Sequence, residues 1–128
     1  MVIRIGFVRI FVSDFERSFQ FYTKSIGMEC DFSDNSTWAQ FHAGEDISLA
    51  IELCAPDRTE CGAKLIGRFS GVTLLVDDIA NAFAEMQTRG VEFTNEPSTQ
   101  EWGGTIATFR DPDGNILTLM ESREDSSM

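Results

Sequence analysis

Phe7-Val8-Arg9-Ile10-Phe11-Val12-Ser13-Asp14-Phe15 and Gly71-Val72-Thr73-Leu74-Leu75-Val76-Asp77-Asp78-Ile79 are two versions of one phrase. Val8, Val12, Asp14 and Phe19 recur at a constant offset as Val72, Val76, Asp78 and Phe83. An internal repeat decides the architecture before any single element is assigned. In the first copy Val8, Ile10 and Val12 alternate with Phe7, Arg9 and Phe11, the period-two pattern of a strand with two different faces. Asp14 then supplies an oxygen for the free N–H groups of a helix start. Phe15, Phe19, Tyr22 and Ile26 follow at helical spacing, and Gly27 suits the left-handed turn that ends a helix. In the second copy Val72, Leu74 and Val76 alternate, Asp77 or Asp78 caps, Ile79, Phe83 and Met86 form the stripe, and Gly90 closes it.

An antiparallel set follows each helix. Met28–Phe32 and Val91–Phe93 read as short strands, Trp38–Ala43 and Ile47–Leu53 flank a Gly44-Glu45 turn, and Thr105–Arg110 and Ile116–Met120 flank Asp111-Pro112-Asp113-Gly114. The expectation is an α+β protein: one domain over 1–121 made of two tandem β-α-β-β-β modules, 3–54 and 69–121. A connector at 55–68 holds Pro56, Gly62 and Gly67. A polar tail covers 122–128. Val8, Ile10, Val12, Leu49, Ile51 and Leu53 should pack under the first helix, and Val72, Leu74, Val76, Leu117 and Leu119 under the second. The opposite faces are mixed: Phe7, Arg9, Ser48, Ala50 and Glu52 in the first module, and Gly71, Thr73, Leu75, Ile116, Thr118 and Met120 in the second. Aromatics, hydroxyls, an arginine and a carboxylate on one face suit a binding surface better than a core, and two such curved sheets would enclose a groove.

Composition narrows the classes. At 128 residues, 42% apolar and 24% charged, the chain suits a single globular domain able to build a core without staples. No apolar run approaches the ~18 residues of a membrane span, and the first twelve residues contain Arg4 and Arg9 and lack a small-residue cleavage site. The expectation is a soluble, unprocessed chain with no membrane partner. A formal net charge of −11 repels phosphate backbones, so nucleic acid is not an expected partner. The acidity fits either a well-solvated surface or an attraction for cationic ligands. Three cysteines, Cys30, Cys54 and Cys61, form no Cys-x-x-Cys pair and indicate neither a disulfide framework nor structural zinc. Cys30 and Cys54 lie in strand-like contexts that suit inert buried thiols, and a cytoplasmic location fits this usage.

Val12-Ser13-Asp14-Phe15-Glu16-Arg17-Ser18 before Phe21-Tyr22, then Val76-Asp77-Asp78, then Phe109-Arg110-Asp111-Pro112-Asp113-Gly114-Asn115, resemble in order and spacing the vicinal oxygen chelate superfamily. That superfamily includes glyoxalase I, extradiol dioxygenases, fosfomycin-resistance enzymes and bleomycin-binding proteins. The resemblance covers about residues 3 to 121 and implies the paired β-α-β-β-β fold, commonly a homodimer. It also implies that metal-holding members take ligands from the positions of Phe7, Glu52, Gly71 and Thr118. Only Glu52 could be a good ligand, whereas transition-metal sites need about three imidazole, carboxylate or thiolate donors. The single histidine, His42, beside the Gly44 turn, reads as structural or surface. No metal and no other cofactor is therefore expected; were one present, it would be a divalent ion near Glu52.

Other motifs yield to simpler readings. Asp111-Pro112-Asp113-Gly114-Asn115 lacks calcium-loop spacing and reads as a turn in which Pro112 fixes φ, Asp113 accepts local bonds and Gly114 takes positive φ. No nucleophile elbow or Cys/His pair is present. Gly103-Gly104 precedes no helix, so it is no phosphate cradle; it suits a loop passing close to a ligand or partner subunit. What remains is a groove walled by Trp38 and Trp102, with Phe7 at its base, Glu52 as its anion, and Arg9, Gln40, Thr73, Thr108 and Thr118 completing the candidate ligand-binding set. Arg9 either pairs with Glu52 or binds an anionic group itself, and the face occupied by Trp38 and Gln40 is open, since a bulge at Gly44 would invert it. The expected function is binding of a small organic molecule without metal, as in the bleomycin-binding branch. The alternative is a lyase, isomerase or dioxygenase of the same superfamily, with an atypical metal site or with Glu52 as general base.

Overall fold

A computed structural model describes residues 1–54 and 64–122. Most of the connector and all but the first residue of the tail lie outside the described residues. By spatial contact the chain divides into two compact units, one of Met1–Arg68 with Pro112–Asn115, the other of Phe69–Asp111 with the chain from Ile116 onward. The architecture is α+β, with two sheets and two helices.

In the first unit, β1 (Phe7–Val12), β2 (Cys30–Ser33), β3 (Trp38–His42) and β4 (Ser48–Leu53) form a sheet ordered β1-β4-β3-β2. β1 runs parallel to β4 and the other pairs are antiparallel. The helix that makes the parallel crossover possible, α1 (Phe15–Gln20), continues as a π-helical turn over Phe21–Ser25. Asp14 caps it by accepting from the Arg17 N–H at 3.1 Å, and Gly27 leaves it at φ +87°. Alternation now has its physical meaning. Ile10, Val12, Phe41, Leu49 and Ile51 are buried with Phe15 and Tyr22. Phe41 is the centre of this core, with the Tyr22 ring stacked at 5.8 Å and Phe19 at 6.1 Å. Full burial of each such side chain contributes about 1.5–3 kcal/mol, which fixes which way the strands face.

In the second unit, β5 (Phe69–Val76), β6 (Glu92–Phe93), β7 (Ser98–Thr99), β8 (Thr105–Arg110) and β9 (Ile116–Glu121) form a sheet ordered β5-β9-β8-β6, with β7 also on β8. Helix α2 (Ile79–Thr88) is capped by Asp78, and Val91 with Ile79, Met86, Ala107, Phe109, Leu117 and Leu119 is buried. Two details differ from the sequence expectation. β5 begins at Phe69, three residues before Val72, and a register shift lies between Phe69 and Thr73. There the Ser70 hydroxyl donates to the Ile116 carbonyl at 2.7 Å and accepts from the Val72 N–H, and Gly71 sits at φ +76°, which glycine adopts without strain. β7 adds a strand made only of a serine and a threonine, a pair with no apolar alternation to reveal it.

The turn Pro112–Asn115 does more than reverse the chain. Gly114 takes φ +84° as expected, but the bonds of Asp113 are long-range: it accepts from the Ser13 N–H at 2.9 Å, the Ser13 hydroxyl and Arg17 Nη2 at 3.0 Å. Asn115, almost fully buried, accepts at Oδ1 from the N–H groups of Gly67 and Arg68 and donates from Nδ2 to the Phe11 carbonyl at 3.0 Å. The turn is thereby tied to β1, to the start of α1 and to the end of the connector.

Candidate functional site

The helix-free face of the first sheet collects the candidate residues of that unit. Trp38 pairs with Glu52 and Gln40 with Ala50 in an unbroken β3–β4 register, so no bulge at Gly44 inverts them. Arg9 is in register with Ala50 and Phe11 with Glu52, while Phe32 is opposite Gln40. Residues paired across a ladder share a face, so Phe7, Arg9, Phe11, Phe32, Trp38, Gln40 and Glu52 lie on one side. Phe11 and Phe32 extend the candidate set; Phe11 could have been found from its parity with Phe7 and Arg9.

The side chains organise each other. Phe7 meets Trp38 edge to face at 5.6 Å, and Trp38 Nε1 donates to Gln40 Oε1 at 2.9 Å, which fixes the indole. Arg9 Nη1 donates to Glu52 Oε1 at 3.0 Å and the guanidinium carbon lies 5.4 Å from the Phe11 ring centroid. Of the two arrangements open to Arg9, the structure shows the ion pair. Ahead of β3, Asp34 accepts from the N–H groups of Ser36, Thr37 and Trp38 and from the Thr37 hydroxyl. Those bonds, that of the Thr37 hydroxyl first, hold its carboxyl well below the usual carboxylate range. Asp34 thus sets the entry of Trp38 into the sheet, a role the sequence reading did not assign. His42 is exposed, with Nδ1 3.9 Å from the Asp31 carboxylate.

The remaining candidates belong to the second unit. Thr73 is paired with Thr118, and Thr118 with Thr108, giving three threonines side by side on one face. Thr108 also bonds to Thr94 and to Asn95 Oδ1, so its hydroxyl is engaged within the protein. Trp102 stands in the turn between β7 and β8, and the reason for Gly103-Gly104 is local. A Cβ on Gly104 would lie 2.0 Å from the Trp102 ring, so the glycine makes room for that indole. A correction concerns Cys54, which is disulfide-bonded rather than an inert thiol, while Cys30 is free. Cysteine usage therefore no longer argues for a reducing compartment. Among the described residues no helix is long and apolar enough to cross a membrane.

With this geometry in place, comparison with known proteins is informative. Residues 4–119 match the family model of the Glyoxalase/Bleomycin resistance protein/Dioxygenase superfamily. The chain belongs to this superfamily. A bleomycin resistance protein of Klebsiella pneumoniae is 28% identical over 116 residues, covering 85% of each chain. A lactoylglutathione lyase of Escherichia coli O157:H7 is 29% identical over 123 residues, covering 88% of each. Among solved structures, TnmS3, an antibiotic binding protein from Streptomyces sp. CB03234, is 29% identical with a TM-score of 0.74, covering 95% of this chain and 98% of that one.

Against the metal-holding positions of the superfamily, the donor set does not fit a divalent ion. Phe7 has no donor atom, Gly71 has no side chain and is required by its positive φ, and Thr118 offers only a hydroxyl. Glu52 is committed to Arg9. No group of three His, Cys, Asp or Glu side chains able to hold a metal ion occurs among the described residues.

Proposed function

We propose that this superfamily member binds a small organic molecule, without metal and without turnover, and that the helix-free face of the first sheet is a main part of the binding surface. One observation carries the reading: Phe7, Trp38, Gln40, Arg9 and Glu52 converge on a face whose aromatic rings are fixed by contacts with each other and whose polar atoms are few and oriented. Flat rings can stack against such a surface, and the oriented polar groups supply direction. The names of the bleomycin resistance and antibiotic binding relatives support it, and the threonine face of Thr73, Thr108 and Thr118 is proposed as a ligand-binding surface of the second unit. The homodimer common in the superfamily is part of the proposal; sedimentation at twice the chain mass checks it.

A second reading, catalysis by a lyase, isomerase or dioxygenase, has the lactoylglutathione lyase relative in its favour. It would use Glu52 as general base, and the pair with Arg9 opposes that use because protonating the carboxylate sacrifices the charge-assisted bond.

The test is fluorescence titration of Trp102→Phe protein, in which Trp38 is the single indole, against a library of planar aromatic compounds. For a ligand so found, Trp38→Ala followed by calorimetry should weaken binding roughly 30-fold or more, the loss of a central aromatic contact. Glu52→Gln should change affinity. Unchanged affinity in both variants would remove the site assignment.

A further inference from the structure

We infer that Arg9 makes this face a receptor for the anionic group of an aromatic ligand, a carboxylate or similar planar oxyanion carried on a flat ring system. The inference rests on the binding function proposed above and deepens it by naming the ligand's charge.

A face holding one arginine and one carboxylate could in principle read either sign, so the geometry has to decide. Three observations favour the anion. First, the guanidinium is the accessible half of the pair: the Arg9 side chain is 53% exposed and that of Glu52 25%. Second, its hydrogen bonding to protein is through Nη1 to Glu52, and among the described residues no acceptor is bonded to Nη2 or Nε. A guanidinium carries five N–H donors in a rigid fork, so an edge remains for a second carboxylate to engage in two parallel bonds. Third, the group is already oriented, by Glu52 on one side and the Phe11 ring at 5.4 Å on another, so little side-chain freedom is lost on binding.

A cation has a harder task. It would have to share or displace Glu52 from Arg9 across a 3.0 Å contact, and displacement leaves a guanidinium without its counter-charge. An anion displaces nothing. The acidic balance of the chain, −11 overall, does not reverse this choice, because charges beyond about 8–10 Å are screened at ordinary salt while a contact pair is not. Phe7 and Trp38 on the same face supply the surface for the ring that carries the anion.

The experiment uses three probes with one ring system: 2-naphthoate, 2-naphthamide and 2-naphthylmethylamine, titrated by calorimetry into the full chain and into Arg9→Met and Glu52→Gln. Arg9→Met keeps an unbranched stem beside Phe11 and removes the charge. Expected is a carboxylate at least tenfold tighter than the amine. In Arg9→Met carboxylate binding should fall tenfold or more, with the amide within twofold of its wild-type value, and in Glu52→Gln carboxylate binding should tighten. Equal affinity for the three probes, or tightest binding of the amine, overturns the anion assignment and leaves the aromatic face standing. Binding of none of them refutes the aromatic-face reading and this inference with it.

Discussion

Asn115 and Ser18 are two buried polar side chains whose removal should act in opposite directions. Asn115, 1% exposed, satisfies three backbone groups: the N–H of Gly67 at 2.8 Å, the N–H of Arg68 at 3.2 Å and the carbonyl of Phe11 at 3.0 Å. Asn115→Ala removes the side-chain partner of all three, in hydrogen bonds that are part-buried, with Gly67 and Arg68 themselves exposed residues that water can partly serve. A lost bond that leaves a buried partner unsatisfied costs about 1–3 kcal/mol. Partial relaxation of the loop makes the low end of that range appropriate, so roughly 3 kcal/mol is expected for the three together. For a domain of this size that corresponds to a fall in Tm of about 10 °C. The Ser18 hydroxyl, by contrast, is fully buried with no hydrogen-bond partner among the described residues, so folding strips it of water without return. Ser18→Ala, in a helix where alanine is also the better former, should be neutral or stabilising by up to about 1 kcal/mol. Urea unfolding of both variants beside the wild type, with m held constant, reads the two signs directly. If Asn115→Ala falls within 0.5 kcal/mol of wild type, as ordinary surface substitutions do, the turn is not the tie described above. A destabilised Ser18→Ala would show that its hydroxyl has a partner after all.

Three further outcomes follow from the site. The Asp34 carboxyl is held below its ordinary value of 3.8, so whatever it contributes to stability is fully present above that value and is lost as pH falls toward its lower folded value. An NMR titration should find it still ionised at pH 3, where an ordinary aspartate is largely protonated; a midpoint near 4 contradicts the bonding described. The Arg9–Glu52 pair is half open to solvent, so a double-mutant cycle on unfolding should give a coupling of no more than about 1 kcal/mol; a larger coupling would make the pair a support of the fold. Gly104→Ala forces the Trp102 ring aside, and because that ring is exposed the cost should be under about 1 kcal/mol, with a red shift of Trp102 emission measured in Trp38→Phe protein.

The parts legible in the sequence are those with local causes. The caps at Asp14 and Asp78 and the stops at Gly27 and Gly90 are nearest-neighbour chemistry, and each is present in the structure; the alternation in Phe7–Val12 and Ser48–Leu53 sets the pairing, but Val8, expected under the first helix, is exposed at the start of its strand, and Ala50, expected on the mixed face, is fully buried. The mixed face was legible too, because the side-chain period of a strand is two and a register shift of two preserves it. What stayed hidden depends on partners distant along the chain. Nothing around Asp113 announces that it will meet Ser13 and Arg17, and nothing around Asn115 announces Phe11 or Gly67. The face of Trp38 was undecidable until the β3–β4 register excluded a bulge. Arg9 and Glu52 were recognisable as neighbours on one face, but their ion pair is a matter of side-chain geometry.

Native mass spectrometry of untagged protein, purified without chelator and compared with the denatured chain, tests the proposed metal-free binding most directly. The expected spectrum shows a dimer with no metal, carrying either no added mass or an organic adduct that denaturation releases and whose mass names a candidate ligand. One divalent ion per chain, retained through purification and lost on denaturation, would contradict the metal-free reading and return the chain to the enzymes of its superfamily.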